Sequence, residues 1–314
     1  MIGLIKNELM KIFSKKSSWI YIALLVIGVV GGAAIYQNVF GETNENWKSE
    51  AQAEIAELEA LLAEAPEEEK EMYQLQIDEK QQFVDANINP TEKVSWHFMN
   101  DVVIGMTFFI TLFTVIVCSA NVSAEFSDGT IKQLLIRPHR RWSILLSKYV
   151  SVLLYSLVML SVLLLAGYLV GVLFFGAGDF NMKSIVYTLD GQKEVAIGTQ
   201  FFTSILYFLP SLLMVMTISF MLSTLFKSQA LAVGIGIAAL FFSSVLGGII
   251  VFLAEKFTWV KLLIFPHLDL TVYALQDTIL QDVTIAVSLT ILLVYYVIFM
   301  ALTFLFFQKR DVSI

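Results

Sequence analysis

The sequence predicts an all-α polytopic membrane protein with six transmembrane helices and a helical hairpin outside the membrane. Of the 314 residues, 57% are hydrophobic and only 15% are charged. A soluble protein of this size could not bury so much apolar surface. The apolar residues form six segments, each long enough to cross the ~30 Å hydrocarbon core of a bilayer. The single cysteine, Cys118, excludes an intramolecular disulfide framework and a CxxC metal pair.

The predicted segments alternate between apolar spans and polar connections. The six spans are residues 18–40, 98–120, 143–175, 200–226, 230–254 and 284–307. The connections are an amphipathic interfacial helix at 1–17, a helical hairpin at 41–97, loops at 121–142 and 176–199, a turn at 227–229, a half-polar segment at 255–283 and a tail at 308–314. A secretory signal peptide is the competing interpretation of the first span, but its basic region and its apolar core are longer than is usual.

The distribution of basic residues orients the spans. Residues 1–17, 121–148, Lys227 and the C-terminal tail fall on one side, and they hold twelve of the twenty Lys and Arg residues with only four acids. Short loops rich in Lys and Arg stay in the cytoplasm. We therefore expect a multi-pass membrane protein with both termini and the 121–142 loop cytoplasmic and the 41–97 hairpin outside.

The predicted hairpin is strongly acidic. Fifteen Asp and Glu residues lie between Glu42 and Glu92. Two stripes at helical spacing predict two helices, which form a hairpin or meet at a kink, and Pro66 with three following acids marks the start of the second. The stripes are Ile55, Leu58 and Leu62, then Tyr73, Ile77, Lys80 and Val84. The hairpin is either a solvated spacer or a ligand-sensing element.

The segment at 255–283 is too polar for a span but carries a run of large apolar residues that Pro266 interrupts. One interpretation is a set of short helices that dip into the outer leaflet or cover an external gate, with Trp259, Phe265 and Pro266 as gate residues. The other is an amphipathic loop that rests on the headgroups.

The stretch Ala120–Lys148 is the longest polar interruption on the predicted cytoplasmic side. Ser123-Ala124-Glu125 can cap a short helix, and Asp128-Gly129 is a turn signal before a second amphipathic run. Arg137-Pro138 ends that run, and Arg140-Arg141 leads into the next span. A short capped helix between two spans is a feature that a soluble partner could bind.

Motifs for catalysis are missing from the sequence. It contains no GxxxxGK[ST] loop, so the chain has no Walker A element with which to bind and hydrolyse a nucleotide. HExxH and nucleophile-elbow motifs are also missing. The predicted spans carry no charge at mid-depth, which disfavours an ion-coupled carrier. We therefore expect a protein that is not an enzyme and that has no metal, no cofactor of its own and no nucleic-acid partner.

The loop residues that run from Glu125 to Pro138 read E-F-x-D-G-T-I-K-Q-L-L-x-x-P. Together with six spans, a basic amphipathic N-terminus and a large first external loop, they resemble the ABC-2 type permeases, the membrane subunits of bacterial ABC exporters. The resemblance implies the ABC-2 (type V exporter-like) permease fold and a location in the bacterial cell membrane. The 43–88 hairpin departs from the pattern, because it is longer than in the simplest members.

The resemblance also implies site residues and partners. The helix near Ser123–Ile131 would be the coupling helix that docks into an ATPase, and short re-entrant helices would lie within Lys256–Gln276. The implied coupling residues are Ser123, Glu125, Phe126, Asp128, Gly129 and Thr130. Membrane anchors for the third span are Arg137, Arg140, Arg141 and Lys148. The implied partners are an ABC-type ATPase that binds the ATP, a second copy of the permease or a related permease, and membrane lipid.

Two side-chain roles have alternatives. Glu125 either caps the helix or pairs with a basic residue of the partner, or it is a solvated acid on the helix surface. Arg140 and Arg141 are topology anchors or, as a second possibility, partner contacts.

The predicted function is the permease subunit of an ATP-driven exporter of a hydrophobic or amphiphilic compound, such as an antimicrobial peptide, a drug or a lipid. The first alternative is a membrane sensor or structural module that binds an external ligand through the acidic hairpin. The second is an independent secondary carrier.

Overall fold

The computed structural model describes residues 1–40, 43–130, 140–188, 191–226, 228–254, 256–280 and 282–309. Among these residues, five helices are long and apolar enough to cross a membrane. They are Lys16–Val39, Ser95–Ser127, Arg141–Phe175, Ile197–Leu225 and Ile285–Lys309. The helix predicted as the fifth span contributes a shorter apolar helix, Gln229–Phe241. An all-α polytopic architecture is thus confirmed, apart from one small β-hairpin.

The elements follow the predicted order. The helices are α1 Ile2–Ser14, α2 Lys16–Phe40, α3 Trp47–Glu64, α4 Glu67–Ala86, α5 Ser95–Phe98, α6 Ile104–Ser127, α7 Arg141–Phe175, α8 Ile197–Leu225, α9 Gln229–Ala254 and α10 Ile285–Lys309. One turn of π-helix, Met99–Val103, joins α5 to α6. The strands are β1 Lys183–Thr188 and β2 Gly191–Ala196. Two compact units result: the first contains Met1–Gly28, Gly105–Ala166 and Thr203–Ile314, and the second contains Val29–Ile104 and Gly167–Phe202.

In the first unit, the amphipathic helix α1 is held against the start of α2. Lys15 between them has extended backbone, with φ −76° and ψ 130°. The last carbonyls of a helix have no partner within it. Here the Ser18 hydroxyl donates to the Ile12 carbonyl at 2.7 Å, and the Trp19 indole donates to the Phe13 carbonyl at 2.9 Å. These bonds give α1 a fixed position relative to the first span.

Helix α6 runs further than predicted, and this corrects the expected cap at Ser123. Ser123 is buried inside α6, where its hydroxyl donates to the Ser119 carbonyl at 2.6 Å. The backbone N–H of Ser123 donates to the Ser223 hydroxyl of α8 at 3.1 Å. The described residues therefore contain no separate short helix that begins at Ser123. The turn lies where Asp128-Gly129 predicts it, because α6 ends at Ser127 and Gly129 has a φ of 71°.

The segment predicted to contain gate helices forms three short 3₁₀ turns. They are Thr258–Leu262, Phe265–His267 and Thr271–Ala274. Val260 packs in one apolar cluster with Ile250 of α9, and Leu270 packs in another with Leu292 of α10. This segment is therefore packed against the ends of two long helices.

In the second unit, α3 and α4 form the predicted hairpin. Its apolar core consists of Ile55, Ile77 and Val84, which belong to the two stripes seen in the sequence. Helix α4 begins at Glu67, directly after Pro66, and ends at Ala86, and the next residue, Asn87, has the left-handed conformation. Of the two predicted arrangements, a hairpin or two helices meeting at a kink, the shared apolar core is that of a hairpin.

The second unit contains a β-hairpin within the connection predicted at 176–199, which the sequence interpretation gave only as a loop. Strands β1 and β2 pair antiparallel from Lys183 with Ala196 to Thr188 with Gly191. The sequence has Asp190-Gly191 here, and β2 begins at Gly191 with a φ of 112°. Asp-Gly between alternating residues is a strong signal for a tight hairpin.

Candidate functional site

A network of four charged side chains, two of them buried, joins three helices of the first unit. We call it the ion cluster: Glu8 and Lys11 from α1, Glu125 from the end of α6, and Lys148 from α7. The Lys148 ammonium lies 2.7 Å from Glu8 Oε2 and 2.6 Å from Glu125 Oε1. The Lys11 ammonium lies 2.7 Å from Glu8 Oε1 and 3.1 Å from Glu125 Oε1. Each carboxylate thus contacts two ammonium groups.

Burial makes this network different from a surface salt bridge. Only 1% of Lys148 and 3% of Glu8 is exposed. The Lys148 ammonium also lies 3.4 Å from the backbone oxygen of Asn121 and 3.5 Å from its side-chain oxygen. Taking a charge out of water costs several kcal/mol per ion, and the cost is offset only by close opposite charges and hydrogen bonds. Lys148 meets that requirement through partners on two other helices.

The network holds both Glu8 and Lys11 in the charged state. Burial alone would raise the pKa of the Glu8 carboxyl, but the charge of Lys148 and the hydrogen bonds from Lys11 and Lys148 lower the pKa below its usual value. Burial alone would lower the pKa of Lys11, but its hydrogen bond to Glu8 and the charge of Glu125 raise that pKa. At neutral pH, α1 therefore carries one negative and one positive member of the cluster.

One atom of the cluster is left unpaired. Glu125 Oε2 is buried and has no hydrogen-bond partner. Glu125 also lines a cavity of about 510 Å³ between α1 and the end of α6, together with Lys11, Lys15 and Asp128. Buried polar atoms without partners are rare in proteins. The cluster therefore presents an available acceptor beside a polar cavity.

The other implied coupling residues lie around the end of α6. Phe126 is partly buried, and Asp128, Gly129 and Thr130 are exposed. The Thr130 hydroxyl donates to the Glu125 carbonyl at 3.5 Å. Only Glu125 of this group belongs to the ion cluster.

The residues expected to be membrane anchors have different environments in the structure. Arg140 and Arg141 are exposed at the start of α7, and Arg141 donates to the Gln308 carbonyl at 3.3 Å. Arg137 lies outside the described residues. Lys148 differs from the expected anchor, because its ammonium is turned to Glu8 and Glu125 and is shielded from the surface.

The implied gate residues also have different environments. Trp259 is 63% exposed, whereas Phe265 is partly buried and Pro266 is buried. Beside them, His267 is fully buried, and its ring nitrogens lie 2.8 Å from the Ser288 hydroxyl and 2.9 Å from the Lys261 carbonyl. Burial lowers the pKa of His267, although the bond to Lys261 opposes the shift. This buried histidine fixes the 3₁₀ turns to α10.

The sequence patterns considered above do not identify Glu8 and Lys11 as site residues. A signal for Glu8 was present, because residues 5, 8 and 12 fall on one face of a helix and residues 5 and 12 are isoleucines. An acid within an apolar stripe indicates a buried partner. Within the described ranges, no three His, Cys, Asp or Glu side chains come together as metal ligands.

The helices define the chain as a multi-pass membrane protein. The chain belongs to the family described as "Protein of unknown function (DUF2705)", whose model matches residues 70–313. It is similar to the uncharacterized protein YhcI of Bacillus subtilis, with 36% identity over 317 residues and the full length of both chains. It is also similar to the uncharacterized membrane protein YdbK of the same organism, with 29% identity over 202 residues that cover 64% of this chain and 77% of the relative.

Proposed function

We propose that this protein is the transmembrane subunit of an ATP-driven ABC exporter and that a separate ATPase subunit binds the nucleotide. The support is the sequence resemblance to ABC-2 permeases around Glu125–Pro138, and the concentration of Lys and Arg in 1–17 and 121–148. In this proposal both termini and the turn after α6 are cytoplasmic. The protein spans the membrane six times, with α9 as the fifth span.

The ion cluster is the observation that supports coupling best. An ATPase can move membrane helices only if a fixed element transmits its motion. Glu125 lies two residues before the end of α6, and through Lys148 and Lys11 it is bonded to α7 and α1. A force applied to the Asp128-Gly129 turn would therefore act on three helices together.

The surfaces of the spans support a hydrophobic or amphiphilic substrate. Large apolar side chains are exposed along α7, α8 and α10. Such surface faces lipid or a second permease copy in the assembled transporter. The proposed working unit is two permease subunits and two ATPase subunits, and the cargo is an antimicrobial peptide, a drug or a lipid.

Replacing Gly129 by valine is expected to weaken ATPase binding about tenfold. Gly129 has a φ of 71° and nothing within 4 Å of an added Cβ, so valine fits in space but strains the backbone. The turn then changes the direction in which the chain leaves α6, while the ion cluster is left intact. The measurement is the amount of ATPase that copurifies with each variant.

Gly176→Val is the matched control. Gly176 has a φ of 78° and equally open surroundings, but it follows α7 in the second unit. It imposes a comparable strain without altering the turn after α6. Equal ATPase recovery from the two variants would contradict a coupling role for Gly129.

A further inference from the structure

A second cavity lies on the acidic hairpin of the second unit. Its volume is about 370 Å³, within the ~300–1,000 Å³ range of ligand pockets. The side chains that matter for its chemistry are three carboxylates and three aromatic rings. They are Glu50, Glu54 and Glu79, with Trp47, Phe83 and Tyr187.

The charge of this cavity is negative. Lys80 is the basic residue in its wall, and it pairs with Glu54. Glu50 accepts a hydrogen bond from the Asn44 amide at 2.6 Å, and among the described residues no basic side chain forms an ion pair with Glu79. The surrounding helices add to the field, because α3 and α4 together carry twelve acids and three lysines. Such a field attracts cations and excludes anions.

The three aromatic rings belong to three different elements, α3, α4 and β1. Trp47 is the first residue of α3 and packs against the apolar core of the hairpin, so its ring is held in place. Tyr187 comes from β1, is 60% exposed, and lies on a different element from the carboxylates. The faces of Trp and Tyr rings attract organic cations, and several rings around one ammonium group form an aromatic cage.

An unsatisfied amide lies beside Tyr187. Gln192 is directly opposite Tyr187 in the β-hairpin, so the two side chains lie on the same face. Both polar atoms of the Gln192 amide are buried and have no hydrogen-bond partner. Among the described residues, Gln192 does not line the cavity, so this amide is a neighbour of Tyr187 and the inference does not depend on it.

One wall of the cavity is pre-organised. The Asn44 backbone N–H donates to the Thr91 hydroxyl at 2.9 Å, and the Asn89 amide donates to the Asn44 carbonyl at 3.1 Å. Thr91 and Asn44 line the cavity. These bonds are internal to the protein and fix Asn44 in the wall, so less ordering is needed on ligand binding.

We infer that this cavity binds a compact organic ammonium ion of the trimethylammonium type. Its charge is diffuse and weakly hydrated, so aromatic faces and two unneutralised carboxylates suit it better than they suit a hydrated metal ion. The same group occurs in free choline and in the headgroup of phosphatidylcholine. The inference is independent of the transport proposal, because either a transporter subunit or a sensor can carry such a site.

The test is equilibrium dialysis of radiolabelled choline against the full chain in nanodiscs of phosphatidylglycerol. We expect saturable binding that the uncharged isostere, with carbon in place of nitrogen, does not compete. Glu79→Gln and Tyr187→Leu should each weaken binding roughly tenfold. Tyr187 is exposed, so its replacement keeps the hairpin folded even if the change at Glu79 disturbs it.

Glu57→Gln is the matched control, because Glu57 is an exposed acid of α3 outside the cavity. The affinity of the Glu57→Gln variant for choline should equal that of the unmodified chain. Repeating the dialysis in phosphatidylcholine nanodiscs separates the two sources: equal binding identifies free choline as the ligand, and reduced binding identifies the headgroup as a competitor for the same site. Failure to bind choline saturably, competition by the isostere, or an equal loss in Glu57→Gln would overturn the inference.

Discussion

Replacing Lys148 by methionine is expected to lower the free energy of unfolding by about 3–5 kcal/mol. The substitution removes the buried Lys148 ammonium group from the carboxylates of Glu8 and Glu125. Lys11 alone then faces two acids, and it is partly exposed. Removing one partner of a buried ion pair costs more than the pair contributes, because the remaining charge has lost its solvent as well as its partner. Denaturant unfolding in detergent micelles measures the change.

Two further variants separate the loss of the buried ion pair from a general effect of losing a lysine. Lys6→Met removes an exposed lysine of α1 and should change stability by less than about 0.5 kcal/mol. Adding Glu8→Gln and Glu125→Gln to Lys148→Met removes the stranded charges and should recover part of the loss. If Lys148→Met unfolds at the same denaturant concentration as the unmodified chain, the ion cluster does not hold the three helices together.

Replacing Trp96 by alanine is expected to destabilise the second unit by about 3–5 kcal/mol. Trp96 is 9% exposed and contacts four aromatic rings with centroid distances between 5.3 and 6.2 Å. The rings are Tyr168, Phe180, Phe201 and Phe202. Truncation removes these contacts and leaves a cavity that close-packed neighbours fill only in part. Proteolysis of the α3–α4 hairpin, monitored over increasing denaturant, reports on this unit.

Trp259→Ala is the corresponding control. Trp259 is 63% exposed and belongs to the first unit, so its removal creates no buried cavity. Proteolysis of the hairpin should be unchanged in this variant. Similar sensitivity of the two variants would mean that the aromatic cluster around Trp96 does not stabilise the second unit.

The sequence predicts the spans and the acidic hairpin well, because both depend on local patterns. Apolar length defines a span without reference to any partner. The stripes that contain Ile55 and Ile77 define the facing sides of α3 and α4. The turn at Asp128-Gly129 is also predictable, because it depends only on neighbouring residues in the chain.

The ion cluster could not be derived in the same way, because its members are far apart in the sequence. Lys148 is 140 residues from Glu8 and 23 from Glu125. A lysine near the start of a span is normally an interfacial anchor, and only the packing of α1 against α6 and α7 turns it inward. The β-hairpin is a different case, since Asp190-Gly191 in the sequence was a local turn signal that the prediction of a loop did not use.

The cavity on the hairpin combines residues from helices that the sequence predicts with a residue from a strand that it does not predict. Its carboxylates lie on helices that the sequence predicts, but Tyr187 reaches it from a strand more than a hundred residues after Glu79. The distance along the chain explains why the aromatic cage has no sequence signature. The acidic composition alone fits a solvated spacer equally well.

The central claim is that this protein works with an ATPase, and copurification tests it most directly. The tagged full chain, expressed in cells that carry its neighbouring coding sequences, is extracted in mild detergent, and the bound proteins are identified by mass spectrometry. We predict a Walker-type ATPase in amounts comparable to the permease. Recovery of the folded membrane protein without any such ATPase, both before and after chemical crosslinking, would contradict the proposed function.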